Sequence, residues 1–184
     1  MNKTAIKNFA IWARNKLIAD ITYKAGLLGI SEKSIKNPLP QSTKDVQFFD
    51  IGTKEPFSIS GIEIKQREAL ATVISSKEQQ SDYSTAYKSV VEEVAYTWFN
   101  RLIAIRFMEV NDYLPSRICV LSSASVGKDE PDLVTHPFDT DLDFIPYEKD
   151  RIMQLKHENK LDELFRMLFI KQCNALNTIL PNLF

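Results

Sequence analysis

AYTWFNRLIAIRFMEVNDYLP, residues Ala95 to Pro115, crowds aromatic and branched aliphatic side chains into one helical run. Projected at 100° per residue, Ile105, Trp98, Leu102, Tyr113, Phe99, Val110, Ile103, Tyr96, Leu114 and Phe107 share an arc of roughly 200°, twice the stripe a helix needs to meet one core. Glu93, Thr97, Asn100, Arg101, Asn111 and Asp112 occupy the other side. The pattern predicts a central helix with neighbours on two or three sides. Arg106 falls near the middle of the apolar arc. Glu109 follows three residues later, where helical spacing lets the two pair. An unpaired buried charge costs several kcal/mol, so a structural ion pair is the favoured reading; an arginine directed at a partner domain or a phosphate is the other.

Outward from this run, the helix is expected to begin near Ser81–Ser84 and to continue to Asp112, a core helix at about 84–112, with Pro115 ending it. Upstream, Ile6, Phe9, Ala10, Ala13, Leu17, Ile21 and Leu28 make one stripe of a first helix from Thr4 to Leu28, and Gly29 supplies its stop. Residues 31–59 are rich in turn formers, and Val46, Phe48, Phe49, Ile51 and Phe57 within them need burial, so the segment reads as an extended, ordered linker. Ser60 and Glu63 have capping-box spacing ahead of a helix reaching Ser75. Downstream, Arg117–Leu121 alternates as a short strand would. Residues 122–144 read as an acidic loop, and helices are expected from Tyr147 to Asn159 and from Leu161 to Pro181. Leu161, Leu164, Phe165, Leu168, Leu176, Ile179 and Leu183 share a face of the last. The fold class is mainly α: one bundle-like helical domain over 1–184, with long ordered loops and at most one short β-element.

The 184 residues carry a net charge of −1 and five glycines, which suits helices and gives the whole chain no nucleic-acid signature. Charge is uneven. Residues 1–36 hold seven Lys and Arg against Asp20 and Glu32, a net of +5, whereas residues 122–150 hold eight acids against two lysines, a net of −6. A solvated helix face and an acidic loop explain this asymmetry; a basic contact surface is the alternative. Lys3, Lys7 and Arg14 cluster beside the first apolar stripe and are the candidates for phosphate contact. No apolar run approaches the roughly 20 residues that span a bilayer. The N-terminus has no secretory pattern and the two cysteines have no metal-ligand spacing, so a cytoplasmic location and free thiols are expected.

Residues that would do chemistry are missing. Asp139, Asp141 and Asp143 have the spacing that opens a calcium loop, but Phe144 stands where glycine is needed and Asp150 where the bidentate glutamate belongs. Turn formation and capping of the next helix account for them better. His136 and His157 have no second ligand at metal spacing, and Ser122, Ser123 and Ser125 lie in no nucleophile elbow. No two glycines form Gly-x-Gly, so neither common nucleotide loop is present. No catalytic, cofactor-binding or metal-binding residue is assigned.

Four blocks then carry a resemblance: MNKTAIKNFAIWARNKLI at the start, LPQSTKDVQFFDIG at 39–52, EEVAYTWFNRLIAIRFMEVNDYLPSR at 92–117 and LDELFRMLFIKQCNALNTILPNLF at 161–184. Together they resemble the N-terminal region of PglX proteins, the adenine-specific DNA methyltransferases of type 1 BREX phage-defence systems. The resemblance implies a parent enzyme that takes a methyl group from S-adenosylmethionine to N6 of adenine in double-stranded DNA, marking host DNA while the defence system acts on unmarked phage DNA. It implies an Asn-Pro-Pro-Tyr catalytic centre and a glycine-containing cofactor loop. This sequence has neither, and both are expected downstream of Phe184, in a catalytic domain the chain would brace.

Two roles follow for the chain. It is a non-catalytic helical domain contacting DNA or partner proteins, or it is an interaction module that docks other BREX proteins without touching DNA. A stand-alone enzyme is disfavoured by the missing motifs, and the isolated chain is not expected to bind S-adenosylmethionine.

Overall fold

The computed structural model describes residues 2–181. Leu183, read above as part of the last helix's apolar face, lies outside the described residues. The protein is mainly α, as the periodicity predicts, with six helices and one two-stranded antiparallel sheet among the described residues. It divides into two compact units, Met1–Phe99 and Asn100–Phe184.

The first unit opens with α1, Lys3–Leu27, whose first turn is capped by Asn2: its side-chain oxygen accepts the Ala5 N–H at 3.1 Å. Gly29 closes the helix with φ of 71°. The Ile30 N–H returns to the Ala25 carbonyl at 2.9 Å and the Gly29 N–H to Gly26 at 3.0 Å, the bond pair of a Schellman end. A left-handed residue is needed here, and Gly29 is also hemmed in: a Cβ on it would stand 2.6 Å from Cδ1 of Phe49.

Residues 31–59 hold a hairpin where an extended linker was expected. Strand β1, Val46–Phe49, pairs with β2, Phe57–Ser60, in a register that sets Phe49 opposite Phe57 and Gln47 opposite Ile59. Phe49 and Ile59 are fully buried and form a small core with Ile64. Helix α2, Ile62–Glu78, begins from Gly61 without a side-chain cap, so the Ser60–Glu63 capping box does not form, and the helix runs three residues past the expected stop at Ser75. Helix α3 spans Tyr83–Val110, and Asp82 caps it by accepting from the Thr85 N–H at 3.1 Å. Up to Phe99 it belongs to the first unit. There Ala86, Tyr87, Val90 and Val91 pack with Ala25, Ile30 and Ile74 into one core.

The second unit begins with the rest of α3. The helix stops at Val110, five residues before Pro115. Asp112 takes the left-handed conformation at φ 56°, while the Tyr113 N–H bonds the Met108 carbonyl at 2.7 Å and the Asp112 N–H bonds Glu109 at 3.3 Å. This is again a Schellman end, with aspartate in the glycine position. Segment 117–121 is not a strand. Among the described residues it has no neighbouring strand, and Val120 and Leu121 give their amide groups to the Glu109 carboxylate. Within the expected acidic loop lie a one-turn helix α4, Asp132–Thr135, and a 3-10 turn, Pro137–Asp139. Helices α5, Pro146–His157, and α6, Leu161–Ile179, follow, and α6 packs against α4 and α5. Leu133, Ile152, Leu164 and Leu168 are wholly buried in this unit, as is Ile105 from α3.

The breadth of burial expected for α3 is not found. Of its apolar arc, Ile105 and Leu114 are buried, but Tyr96, Ile103, Phe107, Val110 and Tyr113 are exposed. Periodicity reports which residues share a face, and a wide apolar arc can be covered or left open.

Candidate functional site

On α1, Lys3, Lys7 and Arg14 fall along one edge, because positions four and seven apart return to one side of a helix. They span about 16 Å at 1.5 Å per residue. All three are exposed. Arg14 is engaged: its guanidinium donates to the Glu92 carboxylate of α3 at 2.7 Å, with both side chains more than half exposed. Such a pair contributes little and yields readily to a stronger anion. Lys3 and Lys7 have no carboxylate in reach among the described residues. Beside this edge the first turns of α1 expose Ile6, Phe9, Ile11 and Trp12, and the Phe9 and Trp12 rings lie 6.0 Å apart. A hollow of about 220 Å³ lined by Ala10, Arg14, Glu92, Ala95, Tyr96 and Phe99 sits next to them. Basic groups with aromatic neighbours can meet phosphate and stacked bases, and they can equally seat a protein.

In the second unit Arg106 and Glu109 meet, with burial opposite to the pattern expected from the apolar arc. The Glu109 side chain is only 3% exposed, whereas that of Arg106 is 52% exposed. The carboxylate is saturated. One oxygen accepts the N–H groups of Val120 at 2.9 Å and Leu121 at 2.8 Å. The other accepts from Arg106 and from the Ser122 hydroxyl, and Ser122 in turn accepts from Arg106 at 3.1 Å. Glu109 thus ties residues 120–122 to α3, and Arg106 stands at the solvent side of that tie.

Asp141 and Asp143 border an open hollow of about 520 Å³ together with Glu148 and Lys171, while Asp139 lies in the 3-10 turn. Lys171 donates to both Glu148 oxygens at 2.8 and 2.9 Å and lies 5.3 Å over the Phe144 ring. The hydrogen bond from Lys171, then that from the Ile145 N–H, holds the Glu148 carboxyl below the usual carboxylate range. Asp132 acts as a loop anchor, accepting from Ser123 at 2.7 Å and the Ala124 N–H at 2.9 Å. His136 contacts the Thr135 hydroxyl through Nδ1 at 2.8 Å, and His157 is exposed at the end of α5. Among the described residues no three His, Cys, Asp or Glu are grouped to hold a metal. Cys119 and Cys173 are free thiols, and burial pushes Cys173 up to about 11.

Two features escape a reading of the sequence alone. Arg67 of α2 is 92% removed from solvent, with 8% exposed. It donates to the Leu28 carbonyl at 2.9 Å and the Lys36 carbonyl at 2.5 Å, and lies 4.5 Å over the Phe49 ring. Nothing local marks it, since its partners are 39 and 31 residues away. The second is an apolar groove of about 490 Å³ in the second unit, lined by Asn100, Ile103, Ala104, Phe107, Met108, Tyr113 and Leu180. Of its lining, the apolar arc of the sequence assigns Ile103, Phe107 and Tyr113 to a core and sets Asn100 on the polar side.

No protein-family profile matches the chain. Over its whole length it is 41% identical, across 190 aligned residues, to the adenine-specific methyltransferase PglX of Lacticaseibacillus casei (strain Zhang), of which it covers 16%. It is 30% identical across 185 residues to the adenine-specific methyltransferase BrxX of Escherichia coli O9:H4 (strain HS), again over the full chain and 14% of that protein. The stretch matched in PglX is its N-terminal region, so the resemblance carried by the four sequence blocks holds along the entire chain. The chain spans about one-sixth of the length of the curated relatives it matches. Among the described residues no helix is long and apolar enough to cross a membrane.

Proposed function

We infer that the chain is the N-terminal region of an adenine-specific DNA methyltransferase of the PglX kind. It serves that enzyme as a non-catalytic helical domain, bracing the catalytic domain and contributing contacts to DNA or to other BREX proteins in the cytoplasm. The observation that carries this reading is the 41% identity over all of the chain to PglX. In the parent, S-adenosylmethionine supplies the methyl group to N6 of adenine. The residues present here do not fit that cofactor. Gly29 is committed to closing α1 against Phe49, and the other four glycines lie in open surroundings and are scattered along the chain, so no glycine cradle forms. The chain's own part is therefore positioning.

For DNA, the basic edge of α1 is the contact we propose, through Lys3 and Lys7, which pair with no carboxylate among the described residues, and through Arg14 exchanging Glu92 for phosphate. The test is made in the full-length protein. Adenine methylation of host DNA by the complete reading frame is expected, and its absence sinks the parent activity. Replacing Lys3, Lys7 and Arg14 by alanine is expected to weaken duplex binding uniformly across sequences, flattening the salt dependence by about one unit of slope per lost phosphate contact. An unchanged affinity and slope would remove DNA contact from this helix.

That result would favour a second reading, in which the chain docks partner proteins and never meets DNA. Two observations support it: Arg14 is already paired, and Ile6, Phe9, Ile11 and Trp12 expose apolar surface on the same helix.

A further inference from the structure

Asn100, Ile103, Ala104, Phe107 and Met108 line the groove of the second unit. They stand at i, i+3, i+4, i+7 and i+8 of α3, the spacing by which a helix ordinarily presents a stripe to a core. Here Ala104 alone of the stripe is buried, and Ile103 and Phe107 stand exposed. Phe107 is 60% and Tyr113 is 61% exposed. The left-handed Asp112 turns the chain back so that the Tyr113 ring meets the Phe107 ring at 5.9 Å, edge to face, and forms one wall. Leu180, just past the end of α6, lines the same groove. Contiguous exposed apolar surface of this kind marks an interaction site.

The lining carries no charged residue, so it offers nothing to a phosphate backbone. Its occupant is apolar polypeptide. The curated relatives are about six to seven times as long as this chain, and in PglX the matched stretch is the N-terminal region. On the reading proposed above, which this inference rests on, most of the enzyme follows α6. The polypeptide passes Leu180 at the groove's rim, so a segment soon after it meets the groove at the effective concentration of a short tether, of order millimolar. A modest apolar contact then suffices. We propose that this groove is the docking seat for an apolar segment of the same polypeptide beyond residue 184, joining the second unit to the rest of the enzyme.

The experiment places a photo-cross-linker in the full-length protein by Phe107→p-benzoylphenylalanine, with Val126→p-benzoylphenylalanine as the comparison, since Val126 is fully exposed in a loop. Both positions are exposed, so folding is expected to survive either change. After irradiation, peptide mapping is expected to join position 107 to a peptide from beyond residue 184 of the same chain, at least fivefold more than position 126 does. Cross-links confined to residues 1–184, a covalent dimer through a second copy, a yield no higher than at 126, or no cross-link would each overturn the proposal. Methylation by the unirradiated variant is measured separately. Loss of methylation with the downstream cross-link intact would sink the proposed activity and leave the docking seat standing.

Discussion

The Glu109 carboxylate accepts the Leu121 N–H at 2.8 Å, twelve residues away in sequence. Together with the Val120 N–H at 2.9 Å, this bond replaces the strand pairing that residues 117–121 would otherwise need. A buried N–H without a partner costs about 1–3 kcal/mol. Glu109→Ala is therefore expected to destabilise the protein by about 2–4 kcal/mol, from two such donors partly rescued by water. Arg106→Ala removes only the half-exposed end of the network and should cost less than about 1 kcal/mol. Urea unfolding of the two variants checks the ranking, and a larger loss for Arg106→Ala would contradict it.

Gly29 carries two demands at once, a φ of 71° and a neighbour, Phe49, 2.6 Å from where a Cβ would stand. Gly29→Ala is expected to lower stability by about 2–4 kcal/mol, combining a left-handed backbone penalty with overpacking. A thermal midpoint within a degree or two of the native protein would show that the hairpin core gives way freely.

Asp112 occupies the left-handed position at the end of α3 with φ 56°. Its exposed contact with Arg117, at 3.7 Å, offsets little. Glycine reaches this conformation without the Cβ penalty, so Asp112→Gly should raise stability by about 0.5–1 kcal/mol. Denaturant midpoints measure it, and a lower midpoint for the glycine variant would refute it.

Glu148 ties the start of α5 to Lys171 of α6, and the bond from Lys171 keeps its carboxyl below the ordinary value of 4.5. A lowered folded-state pKa stabilises above the unfolded value and loses that contribution as pH falls through the folded one. The native protein should thus exceed Glu148→Gln in thermal stability at pH 7. The gap should close below about pH 4.5. Melting curves from pH 7 to pH 3 test this, and a gap independent of pH would exclude the ion pair as its source.

Cys173 is buried and its thiol is pushed up to about 11. Cys119 is only partly buried, though burial raises it too. At pH 8 a thiol reagent should modify Cys119 first in the native protein, and both alike in urea, because the thiolate is the reacting form. Equal native rates, followed by mass spectrometry, would show that α6 opens readily.

Much of the fold was legible because helical periodicity and chain punctuation are local. The stripe of Ile6 to Leu28 and the stop at Gly29 describe α1, found at Lys3–Leu27. The hairpin at Val46–Phe49 and Phe57–Ser60 was not legible, since strands of four residues separated by seven carry too little pattern to stand out among turn formers. The strand expected at 117–121 failed for a related reason: alternation marks an extended segment, but a partner strand must exist for it to become a sheet. Of the candidate site residues, Arg106 and Glu109 could be paired from spacing alone, and Arg14 could not be matched to Glu92, 78 residues distant.

The sequence by itself determined that this is a mainly helical protein, and its ordered blocks carried the likeness to PglX along the whole chain. These properties depend on residue type and spacing, which the chain displays directly. Only the tertiary structure decided which part of the wide apolar arc of α3 is covered. Ile105 is buried while Phe107, two residues on, stands in an open groove. Helical period assigns residues to a face, but burial depends on what packs there. The charged groups follow the same rule, since Arg67 is held by carbonyls more than thirty residues away, and no spacing in the sequence points to them.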